Sequence, residues 1–197
     1  MSTQNQPAIS DELLTVANTI IGTVADAEFH RYIPMEAKYV ESSFEGLDEN
    51  LITAIKGAYA TGGSATSGSA GLDLRYVGKE ALTLKPGQQQ LVHTGLAIHI
   101  RNYELVGLIA PRSGLGTKGV VLGNLIGVID SDYQGELLLT LWNRHEEETG
   151  IEITIEPGER VAQYFVVHRY HIGLNFVEEF GQTTARGDGG FGHSGRF

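Results

Sequence analysis

Residues 123 to 136 read GNLIGVIDSDYQGE, and the organisation of the chain can be worked outward from them. Leu125, Ile126, Val128 and Ile129 are branched and apolar, which predicts a buried strand. The run stops at Asp130-Ser131-Asp132-Tyr133-Gln134-Gly135, where turn-forming residues take over. A carboxylate at the rim of a packed strand is held firmly and still meets water, the combination that general-base catalysis needs. Asp130 is therefore the candidate catalytic residue. Asn124 can donate and accept hydrogen bonds, and Tyr133 can lay a flat ring against a ligand. An acidic hairpin turn that merely stays wet has the same local pattern.

The same style of short apolar run recurs on both sides. Residues 91 to 100 alternate with a period of two, predicting strand throughout. Further runs cover Val106 to Ala110, Val120 to Ile129, Glu136 to Trp142, Ile151 to Ile155 and Val161 to Val167. Strands this short and frequent, separated by glycine-rich turns, predict an all-β fold: a sandwich, jelly roll or small barrel.

The first third reads differently. Ser10-Asp11-Glu12 can cap a helix carrying Leu13, Leu14, Ala17, Ile20 and Ile21. Met35 to Phe44 predicts a strand. Asp48 predicts the N-cap of a helix with Leu51, Ile52, Ile55 and Tyr59 on one face, and Leu47 and Ile52 at hydrophobic-staple positions. The small polar run from Ala60 to Ser69 predicts a linker or surface loop. The expected division is a partly helical N-terminal extension over 1–64, a β domain over 65–180 and a glycine-rich C-terminal arm over 181–197. The extension carries no recognisable chemistry and is read as packing or assembly.

Composition narrows the function. The 197 residues include 24 acidic and 14 basic ones, a formal charge of −10, which disfavours a general nucleic-acid binder because a phosphate backbone needs a basic face. A small anion can still be cradled locally by a few arginines and backbone amides. The absence of cysteine excludes thiolate zinc sites, cysteine nucleophiles and disulfides. No apolar run reaches membrane-spanning length and no secretory signal is visible, so a cytoplasmic protein is the expectation.

Some motifs are set aside. Gly114-Leu115-Gly116-Thr117-Lys118-Gly119 has the spacing of a dinucleotide fingerprint, but that motif requires a following helix, and Val120-Val121-Leu122 reads as strand. The Arg-Gly-Asp triplet at 186–188 is too short to signify adhesion. His168 and His171 are isolated, and Glu146-Glu147-Glu148 reads as a solvated loop.

Five segments taken in order are more specific. They are Ala70-Gly71-Leu72-Asp73-Leu74, Pro111-Arg112-Ser113-Gly114-Leu115, the 124–136 stretch, Gly158-Glu159-Arg160-Val161-Ala162-Gln163 and the tail from Arg186 to Phe197. Together they resemble the trimeric deoxyuridine triphosphatases (dUTP pyrophosphatases), and among them the bacterial type, over roughly residues 65 to 197. The resemblance implies a jelly-roll-like β-sandwich or distorted barrel, assembled as a homotrimer with active sites between subunits. It implies hydrolysis of dUTP to dUMP and diphosphate by water attack on the α-phosphorus, with Mg2+ held mainly by substrate oxygens. Such an activity keeps uracil out of DNA and supplies dUMP for thymidylate synthesis.

By matching position, the resemblance makes Asp130 the base that activates water and meets the 3′-hydroxyl. It makes Tyr133 the residue that packs against the sugar and leaves no room for a 2′-hydroxyl. Asn124, the backbone of Gly127, Val128 and Ile129, and Leu138 would form the base pocket. Arg112, Ser113 and Gly114 would contact the phosphates, supported by Gln163, and Asp73 would at most hold metal-bound water. From the tail, Arg186 would engage the γ-phosphate, Phe191 would stack on uracil, and Gly192, His193 and Ser194 would meet the terminal phosphates. The arm is expected to order over ligand. The loop at Thr117-Lys118-Gly119 is one residue shorter than is usual in the bacterial type. Other readings of the same fold are a dUTP-binding regulatory module acting through a protein partner of the N-terminal extension, a dCTP deaminase, and a purely structural jelly roll. Deletion of residues 1 to about 60 should separate a partner-binding role from turnover.

Overall fold

The structure is a computed structural model that describes residues 33–63, 66 and 68–190. The helix expected near Leu13 and the tail residues Phe191, Gly192, His193 and Ser194 lie outside the described residues.

Eleven short strands build the described fold: β1 (Glu36–Tyr39), β2 (Leu72–Arg75), β3 (Leu82–Leu84), β4 (Gln89–Val92), β5 (Leu96–His99), β6 (Leu105–Pro111), β7 (Val120–Leu122), β8 (Gly127–Ile129), β9 (Leu139–Asn143), β10 (Ile153–Ile155) and β11 (Arg160–His168). Two helices join them, α1 (Glu49–Ala60) and α2 (Ser113–Thr117). Every pairing is antiparallel, in a four-stranded sheet β2-β11-β6-β8, a three-stranded sheet β4-β9-β7, and the pairs β1-β5 and β10-β3. The all-β, jelly-roll-like architecture is the one expected. Alternation along the strands sends Leu74, Ile109, Leu122, Leu139, Leu141 and Val161 into one core, the arrangement in which antiparallel sheets bury one face each.

Asp48 caps α1 as predicted, its carboxylate accepting from the Asn50 and Leu51 amides at 2.9 and 3.1 Å. Leu47 and Ile52 are both half-buried against the core. The helix presses Ile55 and Tyr59 into the same core as the strands, and Phe44 joins them from a 3-10 turn over Glu41–Phe44.

Three expectations are corrected. The strand predicted over Met35 to Phe44 ends at Tyr39, because the chain turns into that 3-10 segment. The alternation across 91–100 is two strands in two different pairings, β4 with β9 and β5 with β1. The break is at Gly95, whose φ of +67° is left-handed and whose missing side chain makes room for the Phe44 ring. Residues 120–129 likewise form two strands, and the predicted buried strand around Leu125 is an exposed turn. Leu125 and Val128 are 65% and 62% exposed. Apolar content implied burial, but β8 is an edge strand with no neighbour on its outer side in one chain.

Candidate active site

The turn between β7 and β8 opens a cleft. Leu122 carbonyl accepts from the Leu125 amide at 2.9 Å, and Asn124 carbonyl accepts from the Ile126 amide at 2.7 Å. The second bond closes around Leu125 at φ +63°, a γ-turn of the rarer, strained kind. This sharp reversal splays β8 away from β9 and leaves a cleft of about 190 Å³ between them. Asn124, Gly127, Val128, Ile129 and Leu138, all predicted base-pocket residues, line it over an apolar floor of Ile109, Leu122 and Leu139. Gly127 eases the close approach of β8 to β6, since a Cβ there would lie a tight 3.1 Å from that of Ile109. An unpaired strand edge beside an apolar floor suits a flat polar ring, read through main-chain donors and acceptors.

Asp130 follows β8 directly and is exposed at the end of the strand. Its carbonyl accepts from the Tyr133 amide at 3.1 Å, which folds the loop back. No ion pair or side-chain hydrogen bond engages its carboxylate among the described residues. Tyr133 is fixed by donating its hydroxyl to the Glu136 carbonyl at 2.9 Å, and its ring covers Gly135 closely enough to exclude any Cβ there. An exposed acid and an anchored ring thus share one short loop at the strand end.

A second cluster lies elsewhere on the four-stranded sheet. Asp73 on β2 is buried, and its carboxylate accepts from Arg112 Nε at 2.8 Å and from Arg160 Nη1 at 3.1 Å. A carboxylate buried between Leu72 and Leu74 demands such partners, and it holds two guanidinium groups at one place. Gln163, across the sheet from Asp73, donates Nε2 to the Pro111 carbonyl at 3.2 Å and steadies the entry to α2. Ser113 and Gly114 form the exposed first turn of α2, whose amides have no partner within the helix. Arg160 is a residue the sequence reading missed. The signal was the lone acid in an apolar strand, which required a cation from somewhere in the chain.

The two clusters do not meet within one chain. β8 pairs β6 through Gly107 with Ile129 and Ile109 with Gly127, so Asp130 falls level with Val106 while Arg112 follows the far end of β6. Six residues of extended strand separate those levels, roughly 20 Å. Arg186 is in neither cluster, its Nε donating to the Gly189 carbonyl in a local turn of the exposed arm. Among the described residues no three histidines, aspartates or glutamates are grouped to hold a metal ion.

The chain and its fold are similar to known proteins. The dUTPase family model matches residues 62–195, and the chain belongs to that family. Deoxyuridine 5′-triphosphate nucleotidohydrolases of Citrobacter koseri and Escherichia coli are 57% and 56% identical to it over 133 residues, covering 67% of this chain and 84% and 85% of theirs. Among solved structures, the dUTPase of Staphylococcus bacteriophage 80alpha with dUPNHPP is 26% identical, with a TM-score of 0.63 over 83% of this chain and 99% of that one. No helix among the described residues is long and apolar enough to cross a membrane.

Proposed function

We propose that this chain hydrolyses dUTP to dUMP and diphosphate in sites shared between the subunits of a homotrimer. The observation that carries this reading is the cleft beside β8, where Asn124, Gly127, Val128, Ile129 and Leu138 converge next to Asp130 and Tyr133. Uracil enters the cleft and bonds to the open strand edge. A pocket built on polar main-chain groups rejects a base whose edge leaves them unpaired. Tyr133 packs on the deoxyribose. Asp130 takes a proton from water as its oxygen bonds to the α-phosphorus, and the bond to the bridging oxygen breaks to release diphosphate. Such a base contributes roughly 10²–10⁴-fold in rate.

Because Arg112 and Asp130 are at opposite ends of β6, the phosphate-binding Arg112, Ser113, Gly114 and Gln163 come from a neighbouring subunit. The arm over 181–197 closes the site, with Arg186, Phe191, Gly192, His193 and Ser194 over phosphates and base, while 65–180 forms the body. Mg2+ brought in with the substrate would supply neutralisation of the triphosphate charge, and Asp73 is the residue that would meet it, through water. Asp73 commits one lone pair of each oxygen to an arginine and keeps others for metal-bound water.

The test is diphosphate release from dUTP, dTTP, dCTP and UTP with Mg2+. Strong turnover of dUTP alone is expected. Ammonia release from dCTP would make the chain a deaminase, and dUTP binding without turnover would make it a regulatory module.

A further inference from the structure

Glu136 closes the loop that carries Asp130 and Tyr133, and its carboxylate is almost fully enclosed. Oε1 accepts from the Thr94 amide at 3.1 Å and the Gly95 amide at 2.7 Å. Oε2 accepts from Ser43 Oγ at 2.9 Å and lies 2.8 Å from His93 Nδ1. A carboxylate has about four acceptor positions, and four groups surround this one.

The groups it gathers belong to distant parts of the chain. Ser43 sits on the 3-10 turn whose Phe44 ring packs at Gly95. The Gly95 carbonyl accepts from the Val40 amide, and the Thr94 carbonyl from the Tyr59 hydroxyl on α1, both at 2.9 Å. The segment from Val40 to Tyr59 therefore converges on the corner at Thr94 and Gly95. Glu136 connects that corner to the loop, and its own carbonyl holds the Tyr133 hydroxyl.

We propose that Glu136 is a positioning residue, whose carboxylate locks the Asp130–Glu136 loop to the Thr94–Gly95 corner and to Ser43 and thereby sets the Tyr133 ring over the sugar. This rests on the dUTP reading of the site. Misplacing a packing group by a fraction of its size costs rate and selectivity without removing any reacting atom. Glutamine preserves an acceptor for both amides. Alanine leaves the amide of Thr94, a fully buried residue, without its partner.

The experiment measures kcat/KM for dUTP and UTP in wild type, Glu136→Gln, Glu136→Ala and Ser43→Ala, with thermal melts and amide exchange at Thr94 and Gly95 in the absence of nucleotide. In Glu136→Ala the preference for dUTP over UTP should fall about tenfold or more. Glu136→Gln should restore it to within about threefold of wild type, and Ser43→Ala, which keeps every core side chain, should fall between. The two amides should exchange faster in Glu136→Ala and Ser43→Ala. If Glu136→Ala does not fold, Ser43→Ala decides. An unchanged dUTP preference in the folded variants, or wild-type exchange at both amides, overturns the proposal. Wild type that turns over dUTP and UTP alike, or neither, sinks the functional reading instead, and amide exchange still judges the anchoring.

Discussion

Asp130 has an unengaged carboxylate at the end of a strand, so its replacement should change chemistry more than structure. Asp130→Asn keeps the shape and removes the basic oxygen. Turnover should fall about 10²–10⁴-fold while dUTP binding by calorimetry stays within a few fold. Undiminished diphosphate release by that variant would contradict its role. Tyr164 presents the opposite case. Its hydroxyl is buried over Gly107 without a hydrogen-bond partner among the described residues, and burial pushes its phenol up to about 12. Removing an unpartnered buried hydroxyl relieves a desolvation cost. Tyr164→Phe should therefore melt at the wild-type temperature or above it, by up to about 1 kcal/mol in stability. A clear loss of stability would reveal a partner for that hydroxyl in the assembled protein.

At the scale of an element, α1 is an anchored part of the core. Tyr59 donates to the Thr94 carbonyl at 2.9 Å and accepts from the Arg75 amide at 3.0 Å, so Tyr59→Phe should cost about 1–3 kcal/mol in urea unfolding. Burial, the largest influence on the Tyr59 phenol, pushes it up to about 12 from an ordinary value of 10. Below pH 10 folded and unfolded chains both keep this proton, and the stability is fully present. Between pH 10 and 12 the unfolded chain ionises while the folded one does not, so stability drains away as pH rises through that window. The urea midpoint of Tyr59→Phe should accordingly fall less steeply than that of wild type across it. Truncation follows the same logic. A chain begun at residue 33 should fold and retain turnover, whereas one begun at 61 loses Phe44, Ile55 and Tyr59 from the core. Three such losses at about 2–5 kcal/mol each rival the whole stability of a domain. Deletion to residue 60 therefore cannot separate partner binding from turnover. Circular dichroism of the two truncations checks this.

For the whole molecule, the separation of Asp130 from Arg112 along β6 predicts complementation. Asp130→Asn and Arg112→Ala chains should each be inactive alone. In the proposed homotrimer, random assembly of equal amounts gives three trimers in four that contain both kinds of chain, and each of those would hold one intact site. The co-assembled mixture should recover about a quarter of wild-type diphosphate release. No recovery would place both residues in one subunit's site. The chain between β11 and the arm argues for assembly as well. Tyr170, Ile172, Leu174, Phe176 and Phe180 follow β11 in irregular chain and are 73 to 91% exposed. Apolar side chains at that density need a surface to cover them.

The sequence by itself determined the β class, the cap at Asp48 and the turn after Ile129. Each of these is set by neighbours a few positions away, through side-chain period, turn chemistry or capping. Only the tertiary structure decided that the alternation through Gly95 changes sheets, that Leu125 is exposed, that Arg160 shares Asp73 with Arg112, and that Glu136 binds Ser43. Those partners are 87 and 93 residues apart in the Asp73–Arg160 and Ser43–Glu136 pairs, and no local pattern specifies them. Strand register brings them together, and register follows from packing the whole core at once.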